Sequence, residues 1–98
     1  MRPVMAADLD VAAAVLLAVS PAHRPHLARR IILRASLADR YRKRLGKPHP
    51  LYGNGTVSDA TIYLPRRPPR YCDSVNYLTA MHVFLTAYLS MRASHKGP

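Results

Sequence analysis

The stretch LARRIILRASLADRYRKRLG, residues 27–46, decides the fold of this chain. Its apolar residues recur every three or four positions, the spacing that places side chains on one face of an α-helix. The pattern predicts a helix that begins near Pro25, after a single short turn, and ends at Leu45, because Gly46 suits a left-handed C-terminal cap. The apolar stripe is broad enough to predict packing on two sides. Its members are Leu27, Ile31, Ala35, Ala38, Tyr41 and Leu45, widened by Ile32, Leu33 and Leu37.

The remaining narrow face of this helix is basic. Arg30 and Arg34 fall at the edge of the apolar stripe, where their stems can lie along the core while the charged ends reach water. Asp39 can pair with Lys43 one turn later, which we expect to be a small effect. The helix should therefore expose one basic ridge. The residues of the narrow face are Arg29, Ser36, Arg40, Lys43 and Arg44.

Three further helices are predicted from the rest of the sequence. An upstream helix covers Asp8 to Val19, and acidic residues at its start suit the positive end of the helix dipole. A short helix runs from Val57 to Leu64, and a last helix runs from Asp73 or Ser74 to about Ala93. We expect one all-α domain over residues 1–98, a small bundle of three main helices and one short helix, with the last helix central and residues 94–98 disordered.

Two interpretations compete for HPLYGNGTVSDA, residues 49–60. The first is a phosphate-binding loop, which would need a preceding strand and a fuller glycine pattern. The second is a bend between helices. Gly53 and Gly55 supply the unusual backbone angles of a tight bend, and Thr56 is a suitable N-cap with Asp59 three residues later. The sequence favours the bend.

The segment LPRRPPRYCD, residues 64–73, is predicted to be an extended basic linker. Its three prolines within five residues forbid a helix and favour polyproline II. Pro65, Pro68 and Arg70 also spell P-x-x-P-x-R, a pattern that some aromatic-grooved domains bind. A stiff spacer is the favoured interpretation.

The charge balance of the chain is strongly positive. Fifteen Lys and Arg face five Asp, for a formal charge of +10. Such an excess attracts polyanions, although arginine enrichment can also reflect a GC-rich genome. The single cysteine, Cys72, excludes an internal disulfide, and Asp8 and Asp10 interrupt the apolar segment that a secretion signal needs. These features predict a cytoplasmic protein.

Two basic clusters are candidate binding residues for nucleic acid or another acidic partner. If the fold brings them together, they form a positive patch with tyrosines on which bases can stack. The gap from Gly46 to Gly55 is too long for a helix-turn-helix, so contacts should be made mainly to the phosphate backbone. The first cluster comprises Arg40, Arg42, Lys43, Arg44 and Lys47 with Tyr41 and Tyr52, and continues along the ridge to Arg29. The second comprises Arg66, Arg67 and Arg70 on the linker.

The last helix has no charged residue between Ser74 and Met91. Its polar residues are too many for a membrane span, and none is expected. We expect a central core helix that extends into an interface with another protein or with a second copy of the chain. The candidate interface residues are Thr79, His82, Thr86 and Ser90.

No arrangement of residues predicts catalysis, a metal site or a cofactor. His23 and His26 are three apart, but no second pair follows and Pro25 disturbs the local helix. Asp8 and Asp10 differ in direction on a helix, unlike the paired carboxylates of acid–base catalysis. We therefore expect a non-enzymatic protein. Two functions remain open, a binder of nucleic acid or another acidic partner and a protein-interaction or homo-oligomeric adaptor.

Three segments resemble a small group of alphaproteobacterial proteins of unknown function and of about this length. They are residues 1–4, 16–30 and 38–56. The shared features are Arg2-Pro3-Val4, the block from Ala38 to Arg42, His49-Pro50 and the turn from Gly53 to Thr56. The resemblance implies a bacterial cytoplasmic protein and no particular mechanism.

Overall fold

The computed structural model of the chain describes residues 1–69, 71 and 73–94. These residues form an all-α bundle, as predicted, and no strand occurs among them. A 3₁₀ turn, Pro21–His23, precedes the second helix. The four helices are α1 (Ala6–Leu17), α2 (Arg24–Leu45), α3 (Val57–Ala60) and α4 (Val75–Ser94). The predicted tail, apart from Ser94, lies outside the described residues.

Helix α4 packs against both α1 and α2, whereas α1 and α2 make few contacts with each other. Arg24 and Asn76, near the starts of α2 and α4, line one cleft, and Arg40 and Arg92, near their ends, line another. The two helices therefore run in the same general direction. The crossover that this requires contains α3 and the proline-rich segment.

The core lies where α4 meets α1 and α2. Phe84 on α4, Leu16 on α1 and Ile31 on α2 are completely buried. Alanines fill the positions between these larger side chains, which lets the helix backbones approach closely; Ala13, Ala28 and Ala80 each have no exposed surface. The core is therefore compact and built from few large side chains.

The boundaries of α1 and α2 follow from their caps. Helix α1 begins and ends two residues earlier than predicted, because Asp8 is its third residue and accepts a hydrogen bond of 2.9 Å from the backbone N–H of Met5. Helix α2 ends at Leu45 as predicted. Gly46 has φ +70° and its N–H donates to the carbonyl of Arg42 at 2.8 Å.

The short helix α3 begins as predicted, since Thr56 Oγ1 accepts from the N–H of Asp59 at 3.1 Å. It ends at Ala60, four residues earlier than predicted, and the chain continues through turns from Thr61 to Leu64. The hydroxyl of Thr61 turns back to the carbonyl of Ser58 at 2.9 Å and helps to close the helix. The residues that follow, 65–69, carry no regular helix or strand, and the N–H of Arg67 docks on the carbonyl of Ala14 at 2.8 Å.

The prediction that the apolar stripe of α2 is covered is wrong at three leucines. Leu33, Leu37 and Leu45 are 53%, 44% and 51% exposed. The helices that pack on α2 contact mainly the side that carries Ile31, Ala35 and Ala38, and the described residues leave the leucine flank about half exposed. Among the described residues, no helix combines the length and the apolar character that crossing a membrane requires.

Candidate functional site

The two basic clusters do not converge. Arg67 lies with Arg24 in a cleft of about 340 Å³ near the start of α2, whereas Arg44 lies near the end of the same helix. Arg24 and Arg44 are twenty residues apart, which on an α-helix is about 30 Å. Arg66 is used locally, because its Nη2 donates to the carbonyl of Thr61 at 2.7 Å. Arg70 lies outside the described residues.

Two residues of the first cluster have a structural role. Asp39, only 2% exposed, lies on the inner side of α2 and attracts three cations. Arg42 Nη2 is 3.0 Å from its Oδ1, and Lys43 Nζ and the amino group of Met1 are each 3.2 Å from its Oδ2. The expected small pair between Asp39 and Lys43 is therefore part of a cluster in which three cations surround one buried carboxylate, while the Lys43 side chain itself is exposed.

Burial alone would raise the pKa of the Asp39 carboxyl. The hydrogen bonds from Arg42, Lys43 and the amino group of Met1 outweigh it and lower the pKa to about 2. The carboxylate is thus ionised at neutral pH, where it fixes the N-terminal segment to the last third of α2. This contact concerns the stability of the fold rather than recognition of a partner.

The glycine bend meets α2 at the same place. Gly53 and Gly55 have φ +73° and +97°, as predicted for a tight bend. The carbonyl of Gly55 accepts from the N–H of Arg2 at 3.0 Å. A Cβ placed on Gly55 would lie 2.6 Å from Cβ and 2.7 Å from Cα of Asp39. The backbone of the bend therefore packs directly against the backbone of α2, which leaves no room for a side chain at Gly55.

The two tyrosines of the first cluster are used within the protein. The ring of His49 stacks on Tyr52, with centroids 4.8 Å apart, and meets the edge of Tyr41 at 4.9 Å. The guanidinium of Arg34 lies over the Tyr52 ring at 5.3 Å. Nδ1 of His49 also accepts the backbone N–H groups of Leu51 and Tyr52. These three rings hold the turn after α2 together. From the sequence, the tyrosines were instead predicted to stack on bases.

The exposed cations of α2 that pair with no carboxylate lie toward the two ends of the helix, and we call this set of residues the basic ridge. Leu33 and Leu37 lie between its two ends, so the surface is both cationic and apolar. In the described part of the chain, no ion pair joins its members to a carboxylate. The basic ridge consists of Arg29, Arg30, Arg40 and Arg44 on α2 and Lys47 just after it, all of them exposed.

The acidic side chains are held mainly by internal hydrogen bonds. Burial would raise the pKa of Asp8, but hydrogen bonds from the Ser58 hydroxyl and from the backbones of Met5 and Ser58 lower it. Asp10 accepts from the hydroxyl of Tyr77, and Asp59 accepts from the N–H of Asn54. With Asp39 buried, Asp73 is the one acid for which the described residues show no such bond. Asp10 and Asp73 are exposed, but the charge on the described surface is mainly positive.

The polar residues predicted as an interface lie together on the outer face of α4. Thr79, His82, Thr86 and Ser90 are all exposed. Leu78, Leu85 and Leu89 beside them are 52%, 36% and 66% exposed, although the last helix was expected to lie at the centre of the core. Helix α4 buries only its opposite side, which includes Tyr77, Ala80, Phe84 and Ala87.

A cavity of about 840 Å³ opens between α2, α4 and the N-terminal segment. No sequence pattern predicts this cavity, because its walls come from residues far apart in the chain. Its apolar wall includes Val4, Ile32, Leu33, Leu85, Tyr88 and Met91. Its cationic wall consists of Arg2, Arg40 and Arg92.

No group of three or more potential metal ligands occurs among residues 1–69, 71 and 73–94. His23 and His26 are both exposed, on either side of the start of α2. Cys72 lies outside the described residues.

A model of a protein family, described as a domain of unknown function (DUF7742), matches residues 2–88. No curated protein and no solved structure matches the chain.

Proposed function

We propose that this chain, which belongs to the DUF7742 family, is a non-enzymatic binding protein that holds nucleic acid, or an acidic segment of another protein, on its basic ridge. The observation that carries the proposal is the separation of charges. Asp8 and Asp39 are buried, and Asp10 and Asp59 accept hydrogen bonds from neighbouring groups, while the ridge cations face outward without acidic partners among the described residues. A surface of one sign attracts polyanions and holds them by pairing with their charged groups.

The geometry narrows the set of residues that carry this function. Arg42 and Lys43 hold Asp39, so replacing them would disturb the fold as well as the surface. Arg29 and Arg44 are exposed and have no ion-pair partner among the described residues, which makes them suitable for a test. The variant Arg29→Ala/Arg44→Ala is called the ridge variant. Its control, Arg2→Ala/Arg92→Ala, removes the same charge from the cavity wall and is called the rim variant.

The ridge variant should weaken binding to short single- and double-stranded oligonucleotides by at least about tenfold near 50 mM salt. Two lost phosphate contacts should also reduce the slope of log affinity against log salt by about 2. Fluorescence anisotropy at several salt concentrations measures both quantities. The rim variant should keep most of the affinity. Equal losses in the two variants, or no binding by the wild type at low salt, would contradict nucleic-acid binding by the ridge.

The same experiment distinguishes an acidic protein segment from nucleic acid. Leu37 is 44% exposed between the two ends of the basic ridge, where it can contact an apolar side chain but adds nothing to a phosphate contact. A peptide of alternating Asp and Leu residues is a suitable probe. Leu37→Ser should weaken binding of this peptide and leave oligonucleotide binding unchanged. Peptide binding without oligonucleotide binding would assign the ridge to acidic proteins.

The outer face of α4 favours a second candidate function, self-association or docking on another protein. Leu78 and Leu89 are exposed by more than half, and the helix carries no charge from Ser74 to Met91. A neutral, partly apolar face allows two strongly cationic molecules to approach with their ridges apart.

Sedimentation velocity at increasing protein concentration tests this second function. Self-association should persist at high salt, because apolar contact rather than charge would drive it. Leu78→Lys/Leu89→Lys should abolish it, and Arg66→Ala/Arg67→Ala should leave it unchanged. A wild type that stays monomeric at all concentrations would contradict self-association through α4.

A further inference from the structure

The two ends of the cavity between α2, α4 and the N-terminal segment differ in charge. Arg40 lies sixteen residues after Arg24 on α2, and Arg92 lies sixteen residues after Asn76 on α4. Arg24 and Asn76 line the other cleft together. Since α2 and α4 run in the same general direction, the two arginines lie at about the same level. Leu33 and Leu85 each precede them by seven residues, a distance of about 10 Å along a helix. The end at Leu33 and Leu85 therefore carries no charge, and the other end combines cations with apolar side chains such as Met91.

A third cation reaches the cationic end from the N-terminal segment. The backbone N–H of Arg2 donates to Gly55, and the amino group of the preceding Met1 pairs with Asp39, the neighbour of Arg40 in sequence. These contacts hold Arg2 at the level of Arg40, and all three arginines line the same cavity. The strap formed by residues 1–4 is thus a wall of the cavity.

The three guanidinium groups at this end are not neutralised by the protein. No carboxylate lines the cavity, and no ion pair joins Arg2, Arg40 or Arg92 to an acid within residues 1–69, 71 and 73–94. Asp39 is close by, but it already has three cationic partners. Guanidinium groups bind phosphate oxygens in pairs of parallel hydrogen bonds, and a phosphate monoester carries nearly two negative charges.

We propose that this cavity binds a single-chain amphiphile with a phosphate head. The apolar tail lies between α2 and α4, against Leu33 and Leu85, and the phosphate meets Arg2, Arg40 and Arg92. The volume of about 840 Å³ is within the range of ordinary small-molecule sites. A phosphate matches three cations better than a carboxylate, whose single charge would leave two of them unpaired.

Octyl phosphate is a suitable probe because it is soluble as a monomer. Isothermal titration calorimetry should show binding of octyl phosphate at least about tenfold tighter than binding of octanol or of inorganic phosphate, since each of these supplies only one half of the contacts. Octanoate should also bind more weakly than octyl phosphate. Amide chemical shifts should change at Arg2, at Val4 and within residues 32–40 and 85–92.

The rim variant, Arg2→Ala/Arg92→Ala, should weaken binding of octyl phosphate by about tenfold or more, which corresponds to the loss of one charge-assisted contact or more. The ridge variant loses the same net charge away from the cavity and should bind within about twofold of the wild type. Circular dichroism checks that both variants keep their helices.

Three results would overturn the proposal. Equal affinity for octyl phosphate and octanol would exclude a role of the arginines. Equal losses in the rim and ridge variants would show attraction to net charge rather than to this cavity. Octanoate binding as tightly as octyl phosphate would exclude the phosphate head. None of these results depends on whether the basic ridge binds nucleic acid.

Discussion

Gly55→Ala should destabilise the protein by about 3 kcal/mol or more, and the change should lower the midpoint of thermal unfolding by about 15 °C. The new Cβ would lie 2.6 Å from Cβ and 2.7 Å from Cα of Asp39. The Cα belongs to the backbone of α2, so relief would require the bend to move away from the helix. The positive φ of +97° adds conformational strain, because residues other than glycine rarely adopt it.

Gly46→Ala is the matched control for this prediction. Gly46 also has a positive φ, +70°, but a Cβ there would meet nothing within 4 Å. The control should therefore lose only about 1 kcal/mol, the conformational part of the effect. Urea denaturation followed by circular dichroism gives both values. Similar losses for the two glycines would show that the contact with α2 does not matter.

Asp39→Asn should destabilise the protein by about 3 kcal/mol at neutral pH. The substitution leaves Arg42, Lys43 and the amino group of Met1 around a neutral amide, so the buried side chain of residue 39 loses its charge-assisted contacts with these three cations, each worth about 1 kcal/mol. Asp73→Asn, a change at an exposed acid, should stay within about 0.5 kcal/mol of the wild type.

The pH dependence of this difference identifies its origin. The pKa of Asp39 is about 2 in the folded protein and 3.8 as the ordinary value. Because the folded value is the lower one, the stabilisation is complete above about pH 4 and is lost as the pH falls through about 2. Between about pH 5 and pH 2, the difference in unfolding free energy between wild type and Asp39→Asn should shrink by about 2 kcal/mol. A difference that does not change with pH would show that the charge of Asp39 does not stabilise the fold.

The helices of this protein could be predicted because their signals are local. The apolar period of residues 27–45 and the glycine after it place α2 almost to the residue. The bend at Gly53 and Gly55 was likewise predicted, because few residues other than glycine adopt such angles. The short helix was predicted too long, since the turn at Thr61 depends on one side-chain hydrogen bond.

The site could be predicted only in part, because burial depends on contacts between distant residues. The spacing of Asp39 and Lys43 is that of a pair on a helix surface. Asp39 is buried only because Met1 and Gly55, which are distant in sequence, pack against it. Leu33 and Leu37 belong to the apolar period of α2, but a bundle of this size has too few helices to cover them. The cavity joins Arg2 to Arg92 across nearly the whole chain, and no local pattern relates these positions.

The parallel arrangement of α2 and α4 determines how this chain can fold. In a bundle with short connections, neighbouring helices form hairpins that close small loops and gain stability step by step. Here the helices that share most of the core are joined only through residues 46–74, so a long loop must close before Phe84 reaches Ile31. The hairpin of α1 and α2 buries little by itself. Folding should therefore be a single cooperative transition, slower than the size and helix content of the chain would lead one to expect.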